Sequence, residues 1–173
     1  SGMGFTYLAT GWINELSPRD GRLRLHAPIV GSAEQRITGQ VRYEVSVGAT
    51  AEKLNIAGNG HLAYEPTAAG LASASLTRRL YQDDPRLPVE RSQFQLEVVA
   101  ENDSNQPIVN LSVAGGFQPG MLYELVYEAR NPVLAGAGMA AIRDMVSAIR
   151  FGDDTTDELS QLGLSDIEST VAW

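Results

Sequence analysis

Hydrophobic and polar positions alternate over much of the first 130 residues. In "RLRLHAPI" (22–29), Leu23, Leu25, Ala27 and Ile29 share one side, while Arg22, Arg24 and His26 share the other. In "GQVRYEVSV" (39–47), Val41, Tyr43, Val45 and Val47 alternate with Gln40, Arg42, Glu44 and Ser46. A period of two predicts strands with one buried and one wet face, and hence antiparallel pairing. Further strand-like runs are "FTYLATGWI" (5–13), "LASASLTRRLY" (71–81), "SQFQLEVVA" (92–100), "IVNLSVAGG" (108–116) and "MLYELVYEA" (121–129). "AEKLNIAGNGH" (51–61) reads as a short strand and a glycine turn, and "ENDSNQP" (101–107) as a turn cluster.

The period changes after residue 130. "LAGAGMAAIRDMVSAIRF" (134–151) places Leu134, Gly138, Ala141, Met145 and Ile149 three or four apart, with Ile142 and Val146 widening the stripe. That spacing predicts an amphipathic helix, with Asn131-Pro132 as the signal before it and Gly152 as its stop. A weak helical turn in the acidic tail and a strand at "STVAW" (169–173) would follow. The expected fold is mainly β, an antiparallel sandwich or small barrel, with one C-terminal amphipathic helix, α+β overall. Its expected parts are a tag remnant or leader at 1–4, a β-rich domain at 5–130, a helix of a βαβ-like crossover at 131–152, and an acidic connector with a terminal strand at 153–173.

Composition narrows the functional classes. The 173 residues suit one domain, and a net charge of −8 disfavours a nucleic-acid surface, which needs a basic stripe. It also disfavours anionic membranes, and no apolar run reaches the roughly 20 residues of a membrane helix. There is no Cys and there are only two His, so neither a metal site nor any cofactor is expected. His26 falls on the polar face of a strand. His61 lies in the glycine loop "GNGHLAY", where loop residues favour binding, and is a candidate contact.

Other chemical signals are thin. "GLSDI" (163–167) lacks the second glycine of a nucleophile elbow and sits among carboxylates. "GAGMAA" (136–141) matches a dinucleotide fingerprint, but "RNPVLA" separates it from the preceding strand, which favours helix packing. "NDS" at Asn102 and "NLS" at Asn110 are glycosylation sequons of the kind that arise by chance. Arg22, Arg24, Arg42, Arg78 and Arg79 are outward candidates for carboxylate or phosphate contacts, or strand-face salt bridges.

"GFTYLATGWINELSPRDGRLRLHAPIV", "ITGQVRYEV" and above all "LYELVYEARNPVLAGAGMAAIRDMVSAIRF" resemble a bacterial family of uncharacterised α/β-hydrolase-domain proteins. The resemblance implies that the first strand leaves the hydrolase sheet at Gly11-Trp12, that a β-rich insertion follows, and that "TVAW" precedes the serine elbow. It places Trp12, Asn14 and Glu15 at the pocket edge, although Asn14 and Glu15 depart from the family's Gln-Gly-Asp. It carries no catalytic residue onto this chain. The implied function is a fragment of a carboxylic-ester hydrolase, not catalytic alone, whose partners are the remainder of the hydrolase or another copy through edge strands. The alternative is a non-enzymatic β-sandwich binding module.

Overall fold

A computed structural model describes residues 9, 11, 13–31, 36–58, 61–100 and 106–151. The chain divides into two compact units between Val133 and Leu134. The first is an antiparallel β-sandwich. Its larger sheet has the order β1 (Thr38–Ser46), β8 (Leu122–Arg130), β4 (Ser75–Arg79), β5 (Leu87–Val89), with β3 (Glu65–Pro66) also paired to β8. The smaller sheet has the order β2 (Ala51–Asn55), β7 (Ile108–Phe117), β6 (Phe94–Val99).

Alternation decides what each strand buries. On β8, Tyr123, Leu125, Tyr127 and Ala129 are buried in the core. They join Val47 and Leu76 of the same layer, and Ile56, Phe94, Val109, Leu111 and Phe117 of the other, in one hydrophobic cluster. Buried apolar groups from both sheets therefore form a single core, as a sandwich requires. Aromatic pairs complete it: Tyr43 stacks on Tyr127 at 5.9 Å, and Phe117 meets Tyr123 edge-on at 4.9 Å. On β1 the expected alternation is present, with Val41, Tyr43 and Val45 half-buried and Gln40, Arg42, Glu44 and Ser46 exposed.

One expected strand is partly helical. Residues Ala68–Ser73 form a helix, α1, and only Ser75–Arg79 extend as β4. The Thr67 hydroxyl accepts from the Gly70 N–H at 2.8 Å and caps the first turn. Both β3 and β4 pair with the same edge of β8, but their registers differ by six residues, the length of α1. The helix thus loops out an otherwise continuous edge. It returns against β8 because Gly70 has no side chain: a Cβ there would sit 2.9 Å from the carbonyl carbon of Glu128 and 3.0 Å from its nitrogen.

A second expectation is overturned. Residues 22–28 form no strand, and Leu23 and Ile29 are exposed, whereas Ala27 is buried. The backbone of this segment is held by side chains and single bridges instead of a ladder. Ala27 donates to the Asn14 side chain, Leu25 donates to the Ile13 carbonyl, and Arg22 and Arg24 donate to the Ser17 and Leu16 carbonyls. The short strands β3 and β5 carry no legible pattern of their own.

β7 also departs from a plain ladder. Lys53 faces Ser112 and Ala51 faces Phe117, so two steps along β2 span five along β7. Gly115 and Gly116, both with φ of +80°, occupy the extra length in a conformation side chains disfavour.

The second unit contributes α2 (Gly138–Phe151). The helix begins four residues later than its apolar spacing predicts. Gly136 has a φ of +78°, outside the right-handed helical region, so no helix can run through it. Leu134 and Ala141 are accordingly exposed, while Ile142, Met145 and Val146 are half-buried. Gly152, the tail and "STVAW" lie outside the described residues, as does most of "FTYLATGWI".

Candidate functional site

Three of the four candidate site residues come together. Leu16 forms an antiparallel bridge with His61, and the Leu62 N–H donates to the Glu15 carbonyl. Asn14 lies one residue before that junction. Its amide nitrogen donates to Gln106 Oε1 at 2.6 Å, and its oxygen accepts from the Ala27 N–H at 3.0 Å. Asn14 therefore ties three segments together, with both ends of its amide engaged. His61 is fixed through its backbone: its N–H donates to Gly58, and its carbonyl accepts from Asn55 Nδ2 at 2.9 Å. Trp12 lies outside the described residues, as do Ser165 of "GLSDI" and Asn102. Asn110 faces Asn55 and Glu97 in the middle strand of the smaller sheet.

A tyrosine network lies beneath this junction. Tyr43 Oη accepts from the Tyr64 N–H at 2.9 Å, and Tyr127 Oη donates to the Tyr64 carbonyl at 2.7 Å. Burial pushes the Tyr127 phenol far above its ordinary range, and the neighbouring Tyr43 adds to the effect. Burial also raises Tyr43 and Tyr64, with the charge of Glu15 acting in the same direction. Phenols held protonated in this way are hydrogen-bonding ties, not nucleophiles, at neutral pH.

The outer face of the larger sheet carries the main charge cluster. Glu44 of β1 sits directly opposite Glu124 of β8, a repulsive pairing if unrelieved. Arg79 relieves it, with Nη2 at 2.5 Å from Glu44 and 3.8 Å from Glu124. Arg86 adds a two-pronged contact to Glu124 at 2.9 and 3.1 Å, and Arg42 approaches Glu124 at 3.8 Å. Arg79 lies on this outer face but is only 3% exposed, so it is not the solvated arginine its place in the strand suggested. Arg78, opposite the buried Tyr123, takes the other face, whereas Arg79 shares the face of Glu124, where the two carboxylates hold it down. The arrangement is that of a strand-face ion network.

A second cluster closes the end of β8. Glu65 of β3 accepts from Arg130 Nη2 through one oxygen and from Asn131 Nδ2 at 2.8 Å through the other. Asn131 holds a φ of +57°, which turns the chain sharply as it leaves β8. Immediately beyond, Val133 bridges Ile29 in antiparallel fashion, and the Val30 N–H donates to the Pro132 carbonyl at 2.8 Å. The segment that leads into β1 and the segment that leaves β8 thus run side by side.

These ion pairs imply a pH dependence. Hydrogen bonding from Arg86 holds Glu124 below the usual carboxylate range, and hydrogen bonding from Arg130 does the same for Glu65; burial opposes both. A carboxyl depressed in the folded state stabilises fully above the ordinary value of about 4.3 and loses that contribution as pH falls through its folded value. The melting temperature, followed by circular dichroism, is therefore expected to drop as pH falls below about 4.3. Glu124→Gln is expected to lower it more at pH 7 than at pH 3, flattening the acid limb.

Among the described residues, no group of three or more His, Cys, Asp or Glu is placed to hold a metal ion. No described helix is long and apolar enough to cross a membrane. Comparison with protein-family models, curated proteins and solved structures finds no match. Glu65, Arg86, Gln106, Glu124 and Arg130, which organise these clusters, were not singled out by sequence reasoning. Only the polar positions of Glu124 and Arg130 within the alternating β8 hinted at a shared outer face.

Proposed function

We propose that the β-sandwich is the inserted, non-catalytic domain of a protein with an α/β-hydrolase-like host, an enzyme acting on carboxylic esters. The observation that carries this reading is that the segment before β1 and the segment after β8 pair, Ile29–Val30 with Pro132–Val133, which brings the two ends of the β1–β8 body together. An insertion must leave and rejoin its host at neighbouring points, and domains whose ends lie together tolerate insertion best. The sandwich also has its own core, as an independent insert needs. The resemblance of 122–151 to a hydrolase family supplies the host class. In this reading the sandwich shapes or covers the host pocket, and the junction of Asn14, Glu15 and His61 lies at its base.

The test uses the full product of the encoding gene and the 173-residue chain in parallel. Each is treated with a fluorophosphonate probe and assayed on p-nitrophenyl butyrate. The expected result is turnover by the gene product with the label on a serine outside this sequence, and neither label nor turnover for the chain alone. A labelled serine within residues 1–173, or a gene encoding only a sandwich, would overturn the proposal. The second outcome would favour a stand-alone binding module.

A further inference from the structure

The longest edge of the sandwich is β1, and its pattern of charges is self-complementary. β1 runs nine residues, Thr38–Ser46, and pairs with β8 along one side. No described strand pairs with its other side. Edge strands are ordinarily defended by brevity, charged side chains, Pro or a bulge. The other edges are shorter: β5 has three residues with Pro88 among them, β2 has five with Lys53 and a register irregularity, and β6 has six with Glu97. β1 has no Pro and keeps unbroken register with β8 throughout, and its two charges, Arg42 and Glu44, are of opposite sign, so they attract a second copy in one register and repel it in others.

We infer that β1 pairs with β1 of a second copy of this chain, antiparallel about a two-fold axis through Tyr43, joining two larger sheets into one. The side chains select this register. Two-fold pairing of a strand with itself places one residue opposite its own copy, and the choice of that residue fixes all other pairs. Centring on Arg42 or Glu44 would set like charges face to face. Centring on Tyr43 sets Arg42 opposite Glu44 of the second copy, twice by symmetry, on the outer face. It also sets Val41 opposite Val45 on the inner face, covering three residues, Val41, Tyr43 and Val45, that are only half-buried in the single chain.

The charges are available for these contacts. The Arg42 side chain is 65% exposed and its contact with Glu124 is long, at 3.8 Å. Glu44 is bound by Arg79 through Oε2, and its side chain remains 35% exposed. The inference stands on β1 alone and does not depend on the hydrolase reading.

The centring makes a specific geometric demand. Gln40 of one copy must face Ser46 of the other, whereas Gln40 and its own copy stand six residue steps apart, about 20 Å. Both residues are exposed and outside every ion network described above, and the chain has no native Cys. Residues directly opposite in an antiparallel pair have Cα atoms about 4.5–5.5 Å apart, within disulfide range. The 173-residue chain is expected to sediment as a monomer–dimer equilibrium. Gln40→Cys mixed with Ser46→Cys is expected to form a covalent dimer under mild oxidation, while either variant alone is not. Arg42→Glu, which turns both Arg–Glu contacts into Glu–Glu, is expected to raise the dissociation constant at least about tenfold. Monomeric behaviour across the concentration series would overturn the inference, as would a dimer unaffected by Arg42→Glu. Cross-linking by one cysteine variant alone would overturn the register.

Discussion

Gly70→Ala is expected to be among the most damaging single substitutions in the sandwich, costing about 3 kcal/mol or more. The added methyl has no free space: the Glu128 backbone stands in its way, and that backbone belongs to the central strand of the larger sheet. Neither side yields cheaply. Moving β8 disturbs its ladders with β1, β3 and β4, and moving α1 breaks the Thr67 cap. Thr67 is itself bound to Glu128 twice, by its N–H to the carbonyl at 3.0 Å and by its hydroxyl to Oε1 at 2.7 Å. Thermal unfolding is expected to show a midpoint about 10 °C or more below that of the parent chain. An unchanged midpoint would mean that α1 does not lie against β8. Gly39→Ala is a control for the general cost of replacing glycine, since nothing lies within 4 Å of a Cβ at that position.

Arg79→Met is expected to cost about 1.5–3 kcal/mol, the range for losing a hydrogen bond to a charged group. Methionine preserves much of the aliphatic stem, so the loss is chiefly electrostatic. Without the guanidinium, Glu44 and Glu124 face each other across β1 and β8 with only Arg86 and the distant Arg42 to balance them. Arg79→Met with Glu44→Gln removes both the bridge and one of the opposed charges. In urea unfolding, the pair is expected to lose less than the sum of the two single changes. Strict additivity would show that the Arg79–Glu44 contact contributes nothing. Acidification is expected to narrow the gap between Arg79→Met and the parent, because protonated carboxyls no longer repel.

Several features were legible without the structure, and they share a cause. β1 shows its burial in its own alternation, from Gln40 to Val47, because a strand with one wet face records that face at every second residue. The same holds for β6, β7 and β8, and the stripe of Ile142, Met145 and Val146 marks α2 in the helical period. Where local chemistry competed, periodicity misled. Residues 22–29 alternate as well as β1 does, yet the backbone of Leu25 and Ala27 is met by Ile13 and the Asn14 side chain and not by a ladder. Residues 68–73 followed the cap supplied by Thr67.

The functional clusters were less legible for a different reason. Asn14 looks like a pocket-edge residue until Gln106, 92 positions away, is seen to accept from it. Arg79 looks exposed until the register brings Glu44 and Glu124 beside it. The sequence by itself determined the mainly β class, the faces of the long strands, the helical period after residue 130 and the acidic balance, since each depends on neighbours within a few residues. Only the tertiary structure decided which strands pair, which arginine is buried, and that Ile29 meets Val133. Those outcomes depend on register and on contacts between distant segments, and the distance from one residue to the next along the chain does not encode them.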